Sequence, residues 1–416
     1  MAPLAGNILQ DAFDEVVRRD PSFFQRQDVG FAPLPALVER FRASPLMSGA
    51  SDSEIEQALV EGLAFFRERG VRAVEGEGPQ ARLSTLITDS IIDAFAADRG
   101  LTALAAPPRR AEPFAQVLAE DYDRRTTASG VDYVMRKTGA RWLLIINAIG
   151  IPLGVWSRLL GDQGHDYRIL VVESAGWDLV EGGQRAESDL ATDTARIREV
   201  LDAEAVEQLD VIGWCSGGRV AAHLAAELPD RVQRLILASA SLRGCEGSDV
   251  KATQFEEDIA GIFDSVARSP SSATFLSDLL MNSTKLAQPP LEDVMLFRLS
   301  SKEHAGALVA PLSNGEALKR YARRVGEDKT RATEGALAGV KCPILAIAGR
   351  YDHVVSNEHT WDVLNSHADG LTSAVISGAG HYAYDLQYPY FRALLDAFTQ
   401  GQPFAAARVS ALPLRA

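Results

Sequence analysis

Residues 209–229, LDVIGWCSGGRVAAHLAAELP, constrain the fold more than any other part of the chain. A short apolar run ends in a glycine-flanked turn, and a helical pattern follows at once. The turn Gly213-Trp214-Cys215-Ser216-Gly217 fits the spacing G-x-S-x-G, with cysteine in the central position. Such a turn is strained, because a strand must enter and a helix must leave without collision. Gly213 and Gly217, two residues either side of Cys215, supply the small neighbours this requires. Gly218 permits closer approach still. Cys215 then stands at a helix N-terminus, where the dipole and free N–H groups favour a thiolate. With Ser216 in the central position instead, the residue two before it is Trp214, although Gly218 lies two after.

The surroundings extend the same pattern. Apolar runs WLLIINA (142–148), YRILVVES (167–174), LDVIGW (209–214), VQRLILASAS (232–241), PILAIAG (343–349) and TSAVIS (372–377) are continuous rather than alternating. Continuous runs suit parallel strands buried on both faces. Helical patterns lie between them, so the chain is expected to form a mostly parallel sheet with helices on both faces. The succession breaks between about 242 and 340, where only helical periodicity is found. An insertion at the C-terminal edge of such a sheet is placed to be a lid over a ligand site, or else a packing domain. The expected organisation is a helical extension over 1–125, a first core part over 126–241, a helical cap over 242–340 and a second core part over 341–416.

Charge narrows the function classes. The 416 residues carry 42 Lys and Arg against 56 Asp and Glu, a formal net charge of −14. Such a chain is a poor candidate for binding nucleic acid or anionic lipid. Asp11, Asp14 and Glu15 stand where a secretory signal would be apolar, and the most apolar stretch, 142–156, is interrupted by Asn147, Gly150, Pro152 and Gly154. The expectation is a cytoplasmic protein without a membrane span. Three cysteines, Cys215, Cys245 and Cys342, are widely spaced and form no metal-ligand pattern. No phosphate-cradling loop or dinucleotide fingerprint is present, so no bound cofactor and no metal are expected.

Partners for Cys215 follow in the order nucleophile, acid, histidine. Asp352 comes just past the run PILAIAG, and His381 just past TSAVIS. His381 is suited to take the thiol proton, and Asp352 to orient the ring through its other nitrogen. The other six histidines lie elsewhere on helices or loops and read as surface or satisfied side chains. An oxyanion hole is expected from the backbone N–H of Ser216 and that of Ile149, chosen by register with the end of the run 142–146, with Ile151 as the fallback. Asn147 either fixes that loop or is a polar strand end. In the cap, Lys319-Arg320 and Arg323-Arg324 are a candidate docking surface or a solvated helix face.

With these residues the chain resembles the α/β-hydrolase superfamily over about 131–241 and 341–400. The cysteine in place of serine makes it similar to the stand-alone aminoacyltransferases of nonribosomal peptide biosynthesis. Those proteins look like thioesterases but move an aminoacyl group between carrier-protein phosphopantetheine thiols through a cysteinyl thioester. A second resemblance is to polyhydroxyalkanoate synthases, which carry G-x-C-x-G-G and use Cys, Asp and His. The resemblance implies acyl transfer on Cys215, with acyl or peptidyl carrier proteins, or acyl-coenzyme A, as partners. Any phosphopantetheine arm arrives with the substrate. A cysteine thioesterase or lactone hydrolase is the alternative enzyme, and an inactive binding module is the alternative of another class. A thioester exchanges readily with an incoming thiol at near-neutral free energy, which favours transfer.

Overall fold

The structure, a computed structural model, describes residues 31–33, 35, 51–69, 74–75, 82–84, 114–173, 189–242, 252–286, 309–329, 333–349, 352, 354–376, 380–386 and 388–401. Residues 84–100, STLITDSIIDAFAADRG, whose apolar residues stand at helical spacing, residues 106–113, APPRRAEP, which read as a linker, and Cys245 lie outside the described residues, apart from Ser84.

One eight-stranded sheet organises the chain. Its strands are β1 (Tyr122–Thr126), β2 (Asp132–Arg136), β3 (Arg141–Ile146), β4 (Tyr167–Val172), β5 (Leu209–Trp214), β6 (Val232–Ala238), β7 (Ile344–Gly349) and β8 (Leu371–Ile376). Their spatial order is β1-β2-β4-β3-β5-β6-β7-β8. Strand β2 runs antiparallel to β1 and β4, and all the other neighbours are parallel. The six apolar runs of the sequence are the six parallel strands β3 to β8. Strand order reverses at β3, which has β4 on one side and β5 on the other. The C-terminal ends of β3 and β5 therefore open on a crevice where ligands bind in sheets of this kind.

Two corrections apply to the N-terminal reading. Strand β1 begins inside the segment assigned to a helical extension, because YDRRT is a charged edge strand with no apolar run to reveal it. A small antiparallel ladder of Phe31–Pro33, Val74–Glu75 and Arg82–Ser84 also interrupts that segment. Helices α1 (Asp52–Glu68) and α2 (Phe114–Asp121) lie in the same segment. Ser51 and Glu54 close a capping box on α1, as the Ser-Asp-Ser-Glu start leads one to expect.

Helices α3 (Leu190–Ala203), α4 (Gly217–Glu227), α8 (Asn357–His367) and α9 (Tyr388–Thr399) cover the sheet. Alternation along each strand divides the core in two. Val211 packs with Val220 and Leu224 on one face, while Ile212 and Trp214 pack with Trp156 and Phe391 on the other. Each such fully buried side chain is worth roughly 1.5–3 kcal/mol of transfer free energy.

Between β6 and β7 lie α5 (Gln254–Arg268), α6 (Ala273–Leu286) and α7 (Gly315–Lys329). They share a small core of Phe263, Val266, Ala273, Leu318 and Ala322. Glu256 and Arg324 help to bind this unit to the rest of the fold. Glu256, in a capping box with Thr253, also accepts the Ser356 N–H at 3.2 Å. Arg324 on α7 pairs with Asp193 on α3 at 2.8 Å, and both side chains are buried. The reading of Arg324 as part of an exposed basic surface is thereby corrected. Arg323 is exposed and Lys319 bonds Glu316, but Arg324 faces the core because a carboxylate waits there.

Candidate active site

Cys215 sits at the tip of the β5–α4 turn with φ at +51°, a left-handed conformation that costs a non-glycine residue about 1–3 kcal/mol. The neighbouring glycines explain how the chain tolerates it. A Cβ on Gly213 would lie 2.6 Å from the Ala221 Cβ, and one on Gly217 would lie 2.4 Å from the Ile146 carbonyl oxygen. The turn is pinned further by the Cys215 N–H, which donates to the Ala238 carbonyl at 3.1 Å, and by the Ser241 N–H, which donates to the Cys215 carbonyl at 3.0 Å. Cys215 is half-buried. Cys342, by contrast, is buried beside the sheet, and burial pushes its thiol up to about 11.

Asp352 follows β7 and His381 follows β8, as the sequence places them. Their side chains meet, with His381 Nδ1 3.0 Å from Asp352 Oδ2. The other Asp352 oxygen accepts the Val354 and Val355 N–H groups at 2.9 Å each, which fixes the carboxylate. Burial works against an imidazolium at His381. The Asp352 and Cys215 charges, with the hydrogen bond to Asp352, outweigh it and raise the ring to about 10. The three side chains thus form one coupled group, with the histidine between acid and thiol.

The β3–α loop lies beside Cys215. Asn147 fixes it: its Oδ1 accepts the Ala148 N–H at 2.9 Å and the Trp156 indole N–H at 3.1 Å, and its Nδ2 donates to the Ile151 carbonyl at 2.6 Å. The Ile149 N–H points at Ser216, but donates to the Ser216 hydroxyl oxygen at 3.0 Å. The Ile151 N–H donates to the Ala148 carbonyl at 3.2 Å.

A cavity of about 150 Å³ lies over Cys215, with Ser216, His381, Ala148 and Ile151 on the core side and Phe255, Ile259, Phe263, Tyr321 and Val325 on the helical insertion. The insertion therefore roofs the turn. Its wall is mainly apolar, with Arg219 and Glu256 as buried charged members. Nothing in the spacing of these two marks them in the sequence. An aromatic brace lies beneath His381. Trp214 lies 5.4 Å from the His381 ring and 5.0 Å from Tyr384, and Tyr384 stacks on Trp156 at 4.1 Å. The run His381-Tyr382-Ala383-Tyr384 was its visible sign.

Among the described residues, no group of three or more His, Cys, Asp or Glu side chains could hold a metal ion, and no helix is long and apolar enough to cross a membrane. Comparison with known proteins places the chain. Over 99 residues it is 32% identical to the pimeloyl-[acyl-carrier protein] methyl ester esterase of Vibrio campbellii, a match that covers 24% of this chain and 37% of that relative, well under half its length. The protein of the same name from Yersinia enterocolitica is 24% identical over 259 residues, covering 62% of this chain and 93% of the relative. A solved α/β-hydrolase enzyme from a Medee basin deep-sea metagenome library has the same fold, with a TM-score of 0.51 at 16% identity over 68% of this chain and 98% of that one. The family model for the alpha/beta hydrolase fold matches residues 165–388, more than half of the sequence, and with the eight-stranded sheet and its β5–α4 turn this shows that the chain belongs to the α/β-hydrolase fold family.

Proposed function

We propose that this protein transfers an acyl or aminoacyl group through a thioester on Cys215, taking it from one carrier-bound phosphopantetheine thiol and giving it to another. The observation that carries this reading is the coupling of a strained, half-buried Cys215 to the buried His381–Asp352 pair beneath a roofed cavity. In the first half-reaction the Cys215 sulfur adds to the thioester carbonyl carbon. The carbon–sulfur bond to the carrier then breaks, and its thiolate takes a proton from His381. In the second half-reaction the incoming thiol gives its proton to His381 and attacks the Cys215 thioester, releasing the cysteine thiolate. Asp352 orients the ring throughout. The protein holds no cofactor in this scheme, since the pantetheine arm belongs to the substrate.

The cysteine supports transfer over hydrolysis because thioester and thioester are near in free energy. The apolar roof supports it also, by keeping water from the acyl group. Hydrolysis is the second reading, favoured by the relatives whose names make them esterases of an acyl-carrier-protein methyl ester. Those same names support a carrier protein as the partner. The two readings separate when the acyl-loaded protein is offered a second, holo carrier. Label on that carrier supports transfer. Free acid released at one rate with and without the carrier makes the protein a hydrolase.

A further inference from the structure

The loop after β3 leaves few donors for a developing oxyanion. The Ala148 N–H is held by Asn147, the Ile151 N–H by Ala148, and the Ile149 N–H by the Ser216 hydroxyl oxygen at 3.0 Å. Asn147 anchors this loop at three points, so Ile149 cannot simply swing toward a substrate. Ser216 is differently placed. It lines the cavity together with Cys215 and His381, whereas Ile149 does not. Its hydroxyl accepts one bond and donates none to any described residue, and no described residue accepts from its N–H. Ser216, adjacent to the sulfur, thus carries two donors on a residue that lines the cavity. A hydroxyl that accepts a hydrogen bond is also polarised into a better donor.

We propose that the Ser216 hydroxyl, backed by the Ile149 N–H, is a catalytic oxyanion donor alongside the Ser216 N–H. This rests on the reading of Cys215 as the nucleophile and goes beyond the backbone-only role expected for Ser216. As the Cys215 sulfur bonds to the carbonyl carbon, the carbonyl π pair moves to oxygen. That oxygen accepts hydrogen bonds from the Ser216 O–H and N–H, and no proton is transferred. When the leaving group departs, the pair returns and the carbonyl is restored. Ile149 acts one bond back, as a positioning group for the hydroxyl.

The test compares two reactions of the same thiol. Acylation by p-nitrophenyl acetate passes through an oxyanion, whereas alkylation by iodoacetamide does not. Ser216→Ala should slow the p-nitrophenol burst by about 100-fold, the scale of one lost oxyanion donor. Its alkylation rate should stay within about two-fold of the parent, because the thiol and its histidine are untouched. A burst of unchanged or greater rate would overturn the proposal, a greater rate meaning that the hydroxyl merely occupies the site. A parallel fall in both reactions would also overturn it, since the effect would then lie in the thiol or the fold. Cys215→Ala keeps the two claims apart. If it retains the burst, or if the parent protein gives none, the nucleophile reading fails whatever Ser216 does. If it abolishes the burst and Ser216→Ala does not slow it, only the hydroxyl proposal fails.

Discussion

His381 Nδ1 stands 3.0 Å from Asp352 Oδ2, in a pocket where both side chains are almost fully buried. A buried carboxylate so placed does two things. It selects the tautomer that leaves the other ring nitrogen toward Cys215, and it stabilises the imidazolium when the thiol gives up its proton.

Removing the ring should therefore be costly. His381→Ala is expected to slow acyl loading of Cys215 by about 100- to 10,000-fold, the range of general acid–base catalysis. Asp352→Asn should slow it as well, by mis-orienting the imidazole. Single-turnover loading of the purified variants measures both. Loading at parental rate in either variant would remove that residue from the mechanism.

The same pair makes a prediction about stability and pH. His381 is raised to about 10 in the folded protein, against about 6.5 for an ordinary imidazole. Across that window the folded chain keeps a proton that the unfolded chain has lost. The resulting stabilisation is complete below about pH 6.5 and disappears as pH rises through about 10. Thermal unfolding midpoints should fall over this window, and fall less in Asp352→Asn, which removes the raising charge. Equal slopes for the two proteins would contradict the assignment.

The Arg324–Asp193 pair predicts how the helical insertion is held. Both side chains are at most 4% exposed, so removing one leaves the other as a buried charge. Arg324→Ala should cost about 3–5 kcal/mol in urea unfolding. Replacing both partners by apolar residues of similar volume should recover much of the loss. Additive effects in the double variant would show that the pair is not coupled.

At the turn, Gly213→Ala would force a Cβ to 2.6 Å from Ala221 and 2.8 Å from the Gly218 Cα. Such overpacking typically costs about 1–3 kcal/mol. The variant is expected to lose stability, measured by urea unfolding, and to load Cys215 poorly. A variant with parental stability and loading would mean that the turn is looser than these contacts imply.

Much of this was legible in the sequence for identifiable reasons. The strain of the β5–α4 turn leaves its mark as glycines at fixed offsets from Cys215. The acid and histidine are found by strand context, since each follows a continuous apolar run. Residues whose role depends on a distant partner were not legible. Arg324 sits in a run of cations that reads as a solvated face, and its burial is decided by Asp193, about 130 residues earlier. The edge strand β1 carries charges where an interior strand carries apolar residues. The bond from the Ile149 N–H to the Ser216 hydroxyl joins two loops brought together only by the pairing of β3 with β5.

Intact-protein mass spectrometry with a panel of acyl and aminoacyl carrier-protein thioesters decides whether Cys215 bears the acyl group. A single acyl adduct is expected, one that maps to the peptide containing Cys215, is released by neutral hydroxylamine as a thioester is, and is absent from Cys215→Ala. An adduct that survives in Cys215→Ala, or one lost from Ser216→Ala but kept in Cys215→Ala, would contradict this role of Cys215 and place the nucleophile elsewhere in the turn.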